Sequence, residues 1–209
     1  MDKSHEYGTA KHWDDVLQEE FTKESDRAAV ILVASLFDNA LTTFLKNVLL
    51  PTPAAADELF DLPNAPLATF SAKINLSYRI GVISQRFCRD LHLIRKIRNE
   101  FAHNIYGCSF ETSIVRSRIL ELSRSSGMIE RSPRTRGYSQ FPEGCRGDFL
   151  FIASWMLYSL NQQIESCQSL PEATLEWGYN PKFTEETKKP ETAGQPRVPP
   201  ASLPDNNRQ

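Results

Sequence analysis

The feature that most constrains this chain is the stretch from Ser25 to about Leu50. It is apolar nearly all round between Ala28 and Phe37, then narrows to Leu41, Phe44, Leu45 and Val48. A helix apolar on every side has no face to offer water, so it belongs at the centre of a bundle. Ser25, just ahead of it, suits an N-cap, since its hydroxyl can take an orphan amide of the first turn. The most apolar run meets Asp38 and Asn39 well short of bilayer length, which predicts a buried core helix and no membrane span.

The other segments can be read as layers around that helix. Trp13, Val16, Leu17 and Phe21 recur at helical spacing. Leu67, Phe70, Ile74 and Tyr78 lead to Gly81, placed to end a helix in the left-handed conformation. Ser84 caps a further helix whose stripe reads Phe87, Cys88, Leu91, Ile94, Arg98, Phe101 and Ala102. A weaker pattern over 111–125 turns Ile114, Val115, Ile119 and Leu122 inward. From Asp148, a further candidate cap, a last helix presents Phe149, Ile152, Ala153, Trp155, Met156, Leu160 and Ile164 to about Cys167. No strand alternation, heptad seam or repeat is present. The expected fold is all-α, a bundle of about five to six helices.

Punctuation divides the chain. Residues 1–10 are polar and expected to be flexible, 11–177 form the helical domain, and 178–209, with six prolines and almost no bulky apolar residues, form a disordered tail. Pro51, Pro53, Pro63 and Pro66 forbid regular structure over a long loop, 51–66. Glycines and prolines around Arg131, Arg134 and Arg136 mark a basic loop, 126–147. From Arg86 to Arg146 there are eleven Arg and one Lys against six acids, so the middle of a chain of formal net charge -2 carries +6 and the rest -8. Such a surface can attract a polyanion, although arginines solvated or paired with acidic flanks are commoner. Four separated cysteines without a C-x-x-C pair or a secretory signal point to a reduced, cytoplasmic protein.

Candidate chemistry is concentrated in Leu91–His103, where Arg98 and Asn99 precede His103. Arg could stabilise charge developing on a phosphate, His could move a proton near neutral pH, and Asn could orient either. Residues five apart on a helix are separated by about 140° after a full turn. One site therefore needs the helix to loosen near Ala102, or a second copy across a two-fold axis to meet the Arg of one chain with the His of the other. The structural alternative pairs Arg98, lying on the apolar stripe, with Asp38 of the long helix, and leaves His103 at the helix end. His92 and His103 have no Cys or Asp at ligand spacing, so neither a metal site nor a cofactor is expected.

The stretches Ala65-Pro66-Leu67-Ala68-Thr69-Phe70-Ser71-Ala72-Lys73, Gly81-Val82-Ile83-Ser84 and Asp90 to His103, in that order behind the long helix, resemble the mannitol operon repressor family. The resemblance implies an all-α bacterial transcriptional regulator working through a protein or nucleic-acid partner. Arg98-Asn99-Glu100-Phe101-Ala102-His103 is also similar to the Arg-Asn-x-x-x-His signature of the HEPN superfamily, helical bundles that often dimerise and include RNA-cleaving toxins. That similarity implies Arg98, Asn99 and His103 as the catalytic or RNA-contacting set of a metal-independent endoribonuclease. Toxin members commonly carry Tyr two residues after the His, where this chain has Ile105. The basic residues Arg95, Arg98, Arg131, Arg134 and Arg136 are the expected binding set.

Overall fold

The computed structural model describes residues 21, 24–52, 54–104, 106–127, 141–173 and 175. The chain divides into two units, Met1–Glu172 and Ala173–Gln209, and of the second only Ala173 and Leu175 are described. Among the described residues there are five α-helices and no strand: α1 Asp26–Val48, α2 Phe70–Arg79, α3 Gln85–His103, α4 Ser113–Ser126 and α5 Cys145–Ser166. Helix α1 packs on α3 and α5, and α4 bridges α3 and α5, so these four close a ring. Helix α2 lies against α1 and α3.

The core lies along one side of α1, while Leu32 and Ser35 on its other side are exposed, so the helix is not buried all round as its apolar run predicts. Ala29, Val30, Val33, Phe37, Leu41, Phe44 and Leu45 are all but sealed from solvent, facing Leu91, Ile94, Ile97 and Phe101 of α3 and Phe149, Ile152, Ala153 and Leu157 of α5 within one cluster. Burying each of the larger side chains contributes about 1.5–3 kcal/mol. Phe110, in the α3–α4 connection, links the cluster through rings, 5.5 Å from Phe101 and 5.5 Å from Phe149.

The caps show why the helices begin where they do. Ser25 Oγ accepts from the Ala28 amide at 3.2 Å and Ser84 Oγ from the Phe87 amide at 3.1 Å, as expected. Gly81 takes the left-handed conformation after α2 (φ 79°). Its amide donates to Tyr78 and that of Val82 to Ser77, which satisfies the carbonyls that the end of α2 leaves open. Helix α2 starts at Phe70, three residues later than Leu67, because Thr69 takes the Ala72 amide on its hydroxyl at 3.2 Å and so sets the cap.

Other expectations are corrected. Asp148 lies in the first turn of α5, which is capped by Gly144 instead. Ile114 and Trp155 are exposed, each beside the buried stripe of its helix. Helix α1 is long and apolar enough, by length and composition, to cross a membrane, with a mean hydropathy of 1.8 over its most apolar 18 residues, because Asp38 and Asn39 are outweighed by their neighbours. In the bundle 44% of that window is buried in the protein core. Of the first expected helix only Phe21 is described; it is helical and buried.

One turn of α1 ties several elements together. Arg146 of α5 donates to Asp26 Oδ1 at 2.7 Å and to the carbonyls of Phe21 and Glu24, while Asp26 Oδ2 accepts from the Phe110 amide at 3.3 Å. Next to it, Arg27 donates to the carbonyls of Phe101 and Asn104 at the end of α3. The backbone also closes up after α5, where the Leu170 amide donates to the Val48 carbonyl at 2.7 Å.

Candidate functional site

Helix α3 carries its basic residues on the flank of the apolar stripe. Leu91, Ile94, Ile97 and Phe101 face the core, and Arg95, Arg98 and Asn99 turn away from it, towards the first turn of α2. Between them lies a cleft of about 360 Å³, lined also by Ala34, Ser35 and Asp38 of α1 and by Thr69, Phe70 and Ser71.

Neutral groups hold both guanidinium side chains. Arg98 Nη1 donates to Asn99 Oδ1 at 3.2 Å, and Arg95 Nε to His92 Nδ1 at 3.4 Å. His92 in turn donates from Nε2 to Asn75 Oδ1 of α2 at 2.9 Å, so both ring nitrogens are engaged by a neutral imidazole. Burial lowers the His92 pKa below 6.5, and the charges of Arg95 and Lys96 push it the same way. The neutral form that accepts from Arg95 is thus the favoured one.

The expected Asp38–Arg98 pair does not form. Asp38 Oδ1 accepts from Lys73 Nζ at 2.9 Å; Lys73, the fourth residue of α2, is buried and points at α1. Arg98 is exposed, because one residue beyond Ile97 means a 100° turn that carries it from the core to the rim. Helix α3 also does not loosen at Ala102. It runs unbroken through His103, and the Asn104 amide still donates to Glu100 O at 3.0 Å. His103 is exposed, does not line the cleft, and stands on a different side of α3 from Arg98.

Arg95, Arg98 and Asn99 are therefore brought together, and His103 is not. Arg131, Arg134, Arg136 and Ile105 lie outside the described residues. Among the described residues no cluster of three His, Cys, Asp or Glu side chains could hold a metal. Burial pushes the thiols of Cys88, Cys108 and Cys145 up, away from the reactive thiolate. His92, which the sequence offers only as a rejected metal ligand, is a partner of the cleft residue Arg95, and its spacing of three from Arg95 is the signal of that shared face. The α2 residues lining the cleft gave no such signal.

A second hollow of about 430 Å³ lies between the start of α3 and α5, with Phe87, Trp155 and Met156 among its apolar walls. Its buried carboxylate, Asp90, is already occupied by Ser125 Oγ at 2.5 Å and by Arg89.

No family model and no curated protein matches the sequence. Among solved structures, a chain in the X-ray structure of the MtlR-HPr complex from Escherichia coli is similar over 73% of this chain and 98% of its own length, at 18% identity and a TM-score of 0.48.

Proposed function

We propose that the chain is a non-enzymatic regulator, of the transcriptional-repressor kind that its sequence resembles, acting through a protein partner that docks at the Arg95–Arg98–Asn99 cleft. What supports this is the separation of the motif: two cations and an amide open onto one cleft, while the only histidine of the motif stands apart from it. Fixed cations whose neighbouring histidine, His92, is already engaged at both ring nitrogens by Arg95 and Asn75 suit recognition better than catalysis.

The test uses the full chain as bait in extracts of its source cells, beside an Arg95→Glu, Arg98→Glu variant of equal thermal stability. A partner held by the wild type and lost by the variant is the expected result. Equal retention by both overturns the assignment of the cleft. Salt-dependent retention of DNA by the pure protein would instead favour direct nucleic-acid binding.

The second reading, a HEPN-like ribonuclease with a site shared across a two-fold axis, is favoured by the exposure of both Arg98 and His103, which leaves each free to meet a second copy. It requires metal-free RNA to be cleaved by the wild type and not by His103→Ala. Absence of cleavage, or equal cleavage, removes it.

A further inference from the structure

We propose that the cleft between α2 and α3 is a site for a single phosphoryl group of a phosphomonoester, held by Arg95 and Arg98 against the first turn of α2. This rests on the cleft being a binding surface, as above, and adds the chemistry it selects.

Three features of the cleft favour an anion, and the first is charge. The inward-lying cations Lys73, Arg118 and Arg146 each face a carboxylate, those of Asp38, Glu100 and Asp26. Arg95 is also partly buried, yet its acceptor is an imidazole nitrogen, and Arg98, one turn on, has only an amide oxygen. Among the described residues neither has a carboxylate partner. The single carboxylate of the cleft, Asp38, is neutralised by Lys73. The cleft is left with two uncompensated positive charges, and an anion need displace no internal counterion to enter.

The second is preorganisation. Asn75 holds His92, His92 holds Arg95, and Asn99 holds Arg98, so the charged donors are positioned while most of their N–H groups stay open. The third is donor direction. Facing the guanidinium groups is the start of α2, where Thr69 Oγ1 satisfies the Ala72 amide and, among the described residues, no acceptor takes the amides of Phe70 and Ser71. Donors on two walls suit the three terminal oxygens of a tetrahedral phosphoryl better than the two coplanar oxygens of a carboxylate. With about 360 Å³ open to solvent, there is room for the ester carbon to point outward.

The test is calorimetric titration of the full chain with inorganic phosphate, with acetate as the carboxylate control. Phosphate is expected to bind and acetate to bind more weakly. Arg95→Ala and Arg98→Ala should each weaken phosphate by at least about tenfold, the loss of a charge-assisted hydrogen bond. Arg79→Ala, at an exposed position outside the cleft, should leave it unchanged. Absence of phosphate binding, or binding that survives the Arg95→Ala, Arg98→Ala double variant with its melting curve intact, overturns the proposal. Glycerol 3-phosphate and a phosphoserine peptide then separate the sources: the tighter of the two names a free metabolite or a phosphorylated partner. Loss of the partner by Arg95→Glu, Arg98→Glu without any phosphate binding would overturn this proposal alone; phosphate binding with the partner retained would overturn the docking reading alone.

Discussion

Replacing Gly147 with Ala reverses the usual outcome of that substitution in a helix. Gly147 is the third residue of α5, where Ala would ordinarily be favoured by about 1 kcal/mol. Here a Cβ would stand 1.7 Å from the carbonyl oxygen of Pro142, 2.9 Å from its carbon and 3.4 Å from its nitrogen. The obstacle is backbone, so no side-chain rotation relieves it, and the 141–144 turn must retreat by more than an ångström. That retreat pulls on Phe141, which is buried, and on the neighbouring Arg146 with its bonds to Asp26, Phe21 and Glu24. Overpacking of this sort costs about 3 kcal/mol at the upper end of its common range. Set against the helical gain, Gly147→Ala should lose about 2 kcal/mol, and a chain of this size should melt about 4–8 °C lower. Urea unfolding of both proteins measures the difference, and faster amide exchange confined to the start of α5 would locate it. A variant as stable as the wild type, or more so, refutes the close approach of Pro142 to α5.

Four further outcomes follow from individual contacts. The Ser77 hydroxyl is buried without a hydrogen-bond partner among the described residues, so Ser77→Ala should raise stability by about 1 kcal/mol in urea unfolding. Asp38→Asn strands the buried Lys73 ammonium and should cost about 2 kcal/mol, less than a fully buried pair because Asp38 is partly exposed; adding Lys73→Met should recover most of the loss. Arg27→Ala removes the donors to the Phe101 and Asn104 carbonyls and should lower stability by about 2 kcal/mol, with increased amide exchange in the last turn of α3. Since folding depresses the His92 pKa, the unfolded chain binds more protons below 6.5; stability contributed by neutral His92 is complete above that pH and declines as pH falls towards the folded value. His92→Gln should flatten that part of the pH–stability curve, and an unchanged slope would show that other groups carry it.

Much of the scaffold could be read from local signals. The Ser25 and Ser84 caps and the Gly81 stop depend on bonds made within a few residues, whereas α1, apolar nearly all round from Ala28 to Phe37, buries one side and leaves Leu32 and Ser35 exposed on the other. Where the structure departs from those signals, packing that neither propensity nor periodicity expresses was the cause, at short range as well as long. Asp148 has a capping side chain, but the start of α5 is set by the packing of Pro142 on Gly147, which no propensity expresses. Ile114 and Trp155 have apolar side chains beside the true stripes, and periodicity does not decide the phase to within one residue. The partner of Asp38 depended on how α2 lies across α1, a tertiary relation that gave the carboxylate to Lys73 and left Arg98 for the solvent. Arg95, Arg98 and Asn99 were visible as a cluster; their opposite wall, on α2, was not.

The polar knot on the first turn of α1 bears on how α3 meets anything from outside. Terminal helical turns ordinarily fray, because their last carbonyls have no partner. In this bundle Arg27 holds those of Phe101 and Asn104, Arg118 holds that of Lys96 and the Glu100 carboxylate, and Glu100 also takes the Asn104 amide group. The segment bearing His103 is thus clamped before any encounter. Recognition there proceeds as the fitting of one formed surface to another, with little folding entropy left to lose, so that altered contacts on this face should register in how long a complex lasts more than in how fast it forms.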